Sequence, residues 1–169
     1  MMTDAILQRA GERPVLRFER HLRRPVDDVW HAVTDPEAMR SWFPTRLVID
    51  EWRVGAEMSH EFEGGSMAPL AGKVLEWEPQ HRVAFTWGTD VITFELRADG
   101  DGTHFVLTEE LGANHAARNA AGWEICLQRL ETDVASDEWK PRFDHYVDVF
   151  QPILGPQEGP PDAHEESNA

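Results

Sequence analysis

Hydrophobic and polar residues alternate with a period of two along most of the middle of the chain. Six short segments show this alternation, at 47–52, 56–62, 72–77, 82–87, 91–98 and 104–111. Turn-forming residues separate them, most clearly the Asp-Gly-Asp-Gly sequence at 99–102, which is typical of a hairpin. Because the connections are too short for crossover helices, the pattern predicts an antiparallel meander of strands, preceded by a further strand at 15–21.

Helical spacing of apolar residues appears on both sides of this meander. Val26, Val29 and Val33 form one stripe directly after Pro25, a residue that suits the first turn of a helix. Asp35 is a good N-cap for a second short helix that runs to Trp42. Near the end of the chain, a long amphipathic helix of about five turns is predicted at 116–136. Another helix is predicted from Pro141 to a stop at Pro152 and Gly155.

This order of elements is α+β and predicts a single domain at 15–154. Residues 1–14 are weakly patterned and are expected to form a frayed arm or a short helix. Residues 155–169 contain three prolines, two glycines and four acidic residues without Lys or Arg, so they are expected to be a disordered acidic tail.

Composition and charge exclude several classes of protein. The 169 residues are 41% hydrophobic and 28% charged, as in ordinary globular domains. With 16 Lys and Arg against 31 Asp and Glu, the net charge is −15, which disfavours nucleic acids and anionic lipid surfaces as partners. No run of about 20 apolar residues and no N-terminal signal core is present, so no membrane insertion and a cytoplasmic location are expected. Cys126 is the one cysteine, which excludes an internal disulfide and a cysteine-rich metal site.

Polar residues within apolar strand faces are the candidates for chemistry. Alternation places His60 and Glu109 on the inward face of the sheet, with Glu76 as a third candidate. Burial would raise the pKa of a carboxyl group and lower that of a histidine, as in acid–base pairs. The alternative is structural, because a one-residue bulge would turn these side chains to solvent, or they would merely hydrogen-bond to each other. His60 and Glu109 are therefore candidate catalytic residues without an established role, and no metal site or cofactor is expected.

A sheet that wraps around one long helix encloses a volume in which a small apolar ligand could lie. Aromatic and polar side chains would line this cavity, although at least half of the tryptophans are expected to be ordinary core. The expected lining consists of Met58, His60, Phe62, Trp87, Phe94, Phe105, Glu109, Trp123 and Leu127.

Residues from about 15 to 150 resemble the START/Bet v 1-like (SRPBCC) superfamily, and within it the activator of Hsp90 ATPase homologue 1-like family. Residues 18–42 resemble the opening of the family, and the resemblance continues through Gly55, 72–76, 79–87, the strand with sequence DGTHFVLTEE, and Ala121-Gly122-Trp123. It implies a helix-grip fold, in which a curved antiparallel sheet surrounds a long C-terminal helix and two short helices follow the first strand.

The resemblance is less informative about function, because members bind lipids or polyketides, catalyse cyclisation or act in stress responses. The favoured hypothesis is that the chain binds a small hydrophobic molecule, lipid-, polyketide- or aromatic-like, between sheet and helix. A cyclase- or hydrolase-type enzyme using the same cavity is the first alternative, and a protein-interaction module resembling a co-chaperone is the second. A homodimer stays open, and a chaperone partner is disfavoured.

Overall fold

A computed structural model describes residues 4–134 and 138–159 of the chain. It has the expected α+β helix-grip architecture. Eight strands form its sheet, namely β1 (Ile6–Ala10), β2 (Arg13–Leu22), β3 (Arg46–Val48), β4 (Glu57–Glu61), β5 (Leu70–Glu78), β6 (Arg82–Trp87), β7 (Asp90–Asp99) and β8 (Gly102–Glu110). The α-helices within these described residues are α1 (Val26–Thr34), α2 (Pro36–Met39), α3 (Ala116–Thr132) and α4 (Trp139–Leu154).

All neighbouring strands are antiparallel, in the order β1-β2-β8-β7-β6-β5-β4-β3. The hairpin predicted at 99–102 is present, because Asp99 pairs with Gly102 and Gly100 takes a positive φ of 60°. β2 pairs with β8 and not with its sequence neighbour β3, so the first and last long strands lie side by side as the second and third strands of the sheet. Antiparallel pairing of β7 with β8 brings the end of β8 beside the start of β7, where the candidate site lies.

The long helix α3 packs on the inner face of the sheet through small residues. Ala117, Ala120 and Ala121 are fully buried, and alanine allows close approach of the helix backbone. Larger aromatic side chains fill the remaining interior. The ring of Phe43 lies 5.7 Å from that of Trp123 on the helix and 6.1 Å from that of Phe85 on the sheet, measured between centroids. The space between sheet and helix is therefore largely packed core at this point.

The structure of residues 4–14 differs from the frayed arm or short helix expected from the sequence. Ile6–Ala10 is an edge strand, neither a frayed arm nor a helix, and it pairs with β2 through a tight turn at Gly11, whose φ is 65°. The backbone N–H of Ala5 also donates to the Tyr146 hydroxyl at 2.9 Å. Pairing with β2 and this contact with α4 hold a segment whose own apolar pattern is weak.

The C-terminal helices also differ from the expected bounds. α3 ends at Thr132 because Asp133 takes a left-handed conformation with φ of 60°; residues 135 and 136 of the predicted helix lie outside the described residues. α4 begins two residues before Pro141 and continues past Pro152 to Leu154.

The first part of the expected disordered tail is ordered against α3. The Gln157 side chain accepts from the N–H of Ala117 and donates to the carbonyl of Ala113, both at 2.9 Å. The N–H of Glu158 donates to the carbonyl of Asn114 at 2.8 Å. Gln157 thus satisfies backbone groups that the start of a helix leaves unpaired. The rest of the predicted tail, 160–169, lies outside the described residues.

Candidate functional site

An open pocket of about 560 Å³ lies where one end of the sheet meets the helices. This volume is within the range of small-molecule sites. Three segments and the start of α4 form it: the loop between β4 and β5, the β6–β7 turn and the first turn of α3. The lining residues are Phe62, Met67, Ala68, Leu70, Trp87, Gly88, Thr89, Asp90, His115, Arg118, Asn119 and Trp139.

One wall of the pocket is apolar and largely aromatic. Phe62, Trp87 and Trp139 supply rings, and Met67 and Leu70 supply flexible aliphatic surface. A neighbouring hollow of about 430 Å³ on the other side of Phe62 is bordered instead by charged residues, including Arg40, Arg46 and Glu61. The larger pocket is therefore the better container for an apolar molecule.

A buried pair of carboxyl groups closes the opposite edge of the pocket. Glu109, near the end of β8, is fully buried, and the side chain of Asp90 at the start of β7 hydrogen-bonds to it and lines the pocket. Asn119 Nδ2 donates to both oxygens of Glu109, at 3.2 and 3.1 Å, and Trp123 Nε1 donates to Oε1 at 2.9 Å. The carboxyl group of Glu109 is thus held by two side chains of α3.

Burial, followed by the negative charge of Asp90, raises the pKa of Glu109 to about 8. Burial also raises the pKa of Asp90, while Glu109 and Arg13 oppose that rise; Arg13 Nη2 lies 3.5 Å from an oxygen of Asp90. The raised pKa keeps Glu109 protonated at neutral pH, so its carboxyl group can donate a hydrogen bond to Asp90. Asp90 lines the pocket in front of Glu109.

His60 belongs to a separate hydrogen-bonded network. Its Nε2 lies 3.1 Å from the carbonyl oxygen of Thr86, which can only accept, so Nε2 carries the hydrogen and Nδ1 is an acceptor. The Thr45 hydroxyl lies 3.5 Å from Nδ1 and accepts from Trp87 Nε1 at 3.2 Å. Burial lowers the pKa of His60 to about 4, so the ring is neutral at pH 7. Both ring nitrogens are occupied by these protein groups, and neither hydrogen-bonds to Glu109.

The nine residues expected to line a cavity fall into two groups. Phe62 and Trp87 line the 560 Å³ pocket. The other seven are buried behind it or deeper in the core. Of these, Glu109 hydrogen-bonds to residues that line the pocket, and Trp123 donates a hydrogen bond to Glu109. The buried set is Met58, His60, Phe94, Phe105, Glu109, Trp123 and Leu127. A role for any of the nine in ligand binding stays a prediction.

Glu76 faces solvent, contrary to its place in the alternation. The register of β5 against β6 shifts between Val74 and Glu76, which marks a bulge. One extra residue turns the following side chains to the other face of the sheet. The Glu76 carboxylate instead forms an exposed ion pair with Arg82, at 2.5 Å.

Asp90, Asn119 and Thr45 are functional candidates that the sequence analysis missed. Asp90 stands beside Gly88 in a segment with the composition of a turn, which conceals that its side chain is buried. Asn119 could have been found, because it precedes Trp123 by four residues and so shares its helix face. Cys126, in contrast, is a buried residue of α3 as expected, and burial raises the pKa of its thiol to about 12.

Metal-binding clusters and membrane-spanning helices are both absent from the part of the chain that the structure describes. No group of three or more His, Cys, Asp or Glu side chains there could hold a metal ion. No helix within residues 4–134 and 138–159 is long and apolar enough to cross a membrane.

Comparison with protein families gives one match of broad coverage. The family described as "Activator of Hsp90 ATPase homolog 1-like protein" matches residues 23–135. This range includes the β6–β7 turn, β8 and all of α3, and thus most of the pocket. A search of curated proteins finds no match.

Solved structures share the fold at low sequence identity. EF2215, a conserved protein of unknown function from Enterococcus faecalis, has a TM-score of 0.74 at 21% identity, covering 88% of this chain and 91% of its own. CalU16 from Micromonospora echinospora has a TM-score of 0.67 at 23% identity, covering 89% and 94%. Mll3558 from Rhizobium loti has a TM-score of 0.58 at 23% identity, covering 78% and 100%. These similarities establish the fold and leave the ligand open.

Proposed function

Since the chain belongs to the activator of Hsp90 ATPase homolog 1-like family, we propose that it binds a small hydrophobic molecule in the pocket between the β4–β5 loop, the β6–β7 turn and the start of α3. The pocket itself carries the proposal. It combines an aromatic wall of Phe62, Trp87 and Trp139 with one polar edge at Asp90, and such a combination suits an apolar body with a single polar group.

The proposed site lies at the mouth of the fold and not deep between sheet and helix. Phe43 and Trp123 pack against each other in that interior, so a ligand there would have to displace close-packed rings. At the mouth, the volume of about 560 Å³ is already open. Binding there buries apolar ligand surface without rearranging the core.

The test uses N-phenyl-1-naphthylamine, an uncharged probe whose fluorescence rises in apolar surroundings. With about 17 non-hydrogen atoms at roughly 0.4 kcal/mol each, its binding free energy would be about −7 kcal/mol, or a Kd on the order of 10 μM. We expect Ala68→Trp to weaken this binding about tenfold or more, because Ala68 lines the pocket. Ser66→Trp is the matched control, since Ser66 is exposed in the same loop and does not line this pocket.

Equal binding by the two variants would contradict the proposal, as would a failure of the wild-type protein to bind the probe at all. Thermal unfolding of each variant shows whether the tryptophan has altered the fold. A loss of binding counts only where the unfolding temperature is retained.

A second candidate function is acid–base catalysis in the same pocket, which the Asp90–Glu109 carboxyl pair favours. This version of the enzyme hypothesis uses Asp90 in place of His60 as the partner of Glu109. A hydrolase would turn over 2-naphthyl acetate, and Glu109→Gln would abolish turnover while leaving binding of N-phenyl-1-naphthylamine unchanged. Absence of turnover by the wild-type protein would argue for binding alone.

A further inference from the structure

We infer that the ligand of this pocket presents a hydrogen-bond donor, a hydroxyl or an amine N–H, to the edge formed by Asp90 and Asn119, and that a ligand carboxylate is disfavoured there. The inference rests on the proposed function, because it names the polar group of the ligand in the same pocket. Its basis is that donors at this edge have hydrogen-bond partners inside the protein, whereas acceptors there have capacity left.

Three neutral donors beside the pocket, those of Asn119, Trp123 and Trp87, are directed at protein acceptors. Asn119 Nδ2 donates to both oxygens of Glu109, at 3.2 and 3.1 Å. The indole N–H of Trp123 donates to Glu109 at 2.9 Å. The indole N–H of Trp87, whose ring lines the pocket, donates to the Thr45 hydroxyl at 3.2 Å. A ligand acceptor could bind to one of these three donors only by breaking its bond to the protein.

Acceptor capacity, in contrast, remains at the same edge. A carboxylate has about four lone-pair sites, and the Asp90 carboxylate receives a hydrogen bond from Glu109 and a long contact of 3.5 Å from Arg13. The amide of Asn119 turns its nitrogen toward Glu109, and the amide oxygen at its other end can only accept. A ligand hydroxyl or N–H would therefore find acceptors without displacing a protein hydrogen bond.

Two cationic or titratable side chains at the rim, His115 and Arg118, would be the natural partners of a ligand carboxylate. Both are already engaged by the C-terminal segment. His115 Nε2 lies 3.2 Å from a carboxylate oxygen of Glu158, and Arg118 Nη1 donates to the carbonyl of Gly159 at 3.3 Å. Arg118 retains further donors, since a guanidinium has five N–H groups. It is the residue on which carboxylate binding would depend.

The net charge of the whole chain also disfavours a ligand carboxylate. A net charge of −15 repels anions and attracts neutral or cationic ligands by comparison. An anionic ligand would bring a further negative charge near Asp90 and Glu158, beside which the Arg13 and Arg118 guanidinium groups lie.

The experiment compares three probes with one aromatic body: naphthalene, 2-naphthol and 2-naphthoate at pH 7. Binding is followed by the indole N–H resonances of Trp87 and Trp139 in ¹H–¹⁵N spectra, since both rings line the pocket. Trp30 and Trp52, which pack against Trp77 outside the pocket, serve as internal controls. We expect 2-naphthol to bind about fivefold more tightly than naphthalene and about tenfold more tightly than 2-naphthoate.

Two variants assign the effect to named groups. Asp90→Asn replaces a charged acceptor by an amide with donors, so the preference for 2-naphthol over 2-naphthoate should fall to about twofold or less. Arg118→Gln should weaken 2-naphthoate binding more than 2-naphthol binding, because Arg118 is the residue on which carboxylate binding would depend. The unshifted resonances of Trp30 and Trp52 report whether each variant keeps the native fold.

The outcomes separate this inference from the proposed function. If 2-naphthoate binds as tightly as 2-naphthol or more tightly, and Arg118→Gln abolishes that binding, the pocket is a ligand site but the inference about donors is wrong. Equal binding of all three probes also overturns the inference and leaves the pocket. If no probe moves the Trp87 and Trp139 resonances, the proposed function fails together with the inference.

Discussion

The buried proton of Glu109 makes the stability of the protein depend on pH in a way that one substitution can isolate. The pKa of this carboxyl group is raised from an ordinary 4.5 to about 8 in the folded state. Between these two values the folded protein binds a proton that the unfolded chain releases. The stability that this proton contributes is fully present below pH 4.5 and is lost as the pH rises toward 8.

The expected slope follows from linkage. One proton bound in the folded state and absent in the unfolded state lowers the free energy of unfolding by about 1.4 kcal/mol for each pH unit. From pH 5 to pH 7 the loss is about 3 kcal/mol. Glu109→Gln removes the titrating group but keeps a donor toward Asp90. The difference in stability between wild type and this variant should therefore fall by that amount over this interval.

The difference, and not the wild-type curve alone, is the quantity to measure. Burial lowers the pKa of His60 from 6.5 to about 4, so below pH 6.5 His60 makes stability rise with pH and opposes Glu109. His60 is present in both proteins and cancels in the difference. The assay is urea unfolding of wild type and variant at intervals from pH 5 to pH 8.

Glu57→Gln supplies the matched control, because Glu57 is exposed on β4. Its difference from wild type should be constant over the same interval. A flat difference for Glu109→Gln as well, within about 0.5 kcal/mol, would show that Glu109 is ionised in the folded protein, and the account of a shared proton would be wrong.

Three further predictions follow from single contacts. Gly72→Ala should destabilise the protein by about 2–4 kcal/mol, because an added Cβ would lie 2.5 Å from the Thr86 carbonyl oxygen and 2.7 Å from the His60 ring. Gly122→Ala should be neutral or stabilising by up to about 1 kcal/mol, because a Cβ there has nothing within 4 Å. Urea unfolding measures both variants. On acidification from pH 6.5 to pH 4, the stability of wild type relative to a His60→Phe variant should fall by about 3 kcal/mol, and an unchanged difference between the two proteins would contradict this. Cys126 should not react with a thiol reagent at pH 8 until the protein is unfolded, because it is buried and the pKa of its thiol is about 12; rapid reaction of the native protein would show that it is accessible.

Much of the fold could be predicted from local patterns, because the strongest of them reflect burial directly. Alternation located the central strands, and the stripe through Ala120 and Trp123 located α3. Edge elements were harder, since β1 depends on its pairing with β2 and on Gly11 more than on its own apolar residues. The end of α3 was also missed, because the left-handed conformation of Asp133 leaves no signal in the apolar stripe.

The candidate site shows where alternation stops being informative. His60 and Glu109 lie on the buried face, where alternation places them, but the bulge that turns Glu76 outward has no signature in the sequence. Asp90 was concealed within a turn, and its partnership with Glu109 arises from pairing of β7 with β8. The contact between these two carboxyl groups depends on the pairing register of the strands, which the sequence of a single segment does not reveal.

The central claim is that a small molecule occupies the pocket at Ala68, and native mass spectrometry tests it most directly. Wild type, Ala68→Trp and Ser66→Trp would be purified without detergent and measured before and after incubation with N-phenyl-1-naphthylamine. We expect a reproducible mass increment in wild type and in Ser66→Trp, lost on denaturation, and absent from Ala68→Trp. An increment of equal occupancy in Ala68→Trp, or no increment in any of the three proteins, would contradict the account.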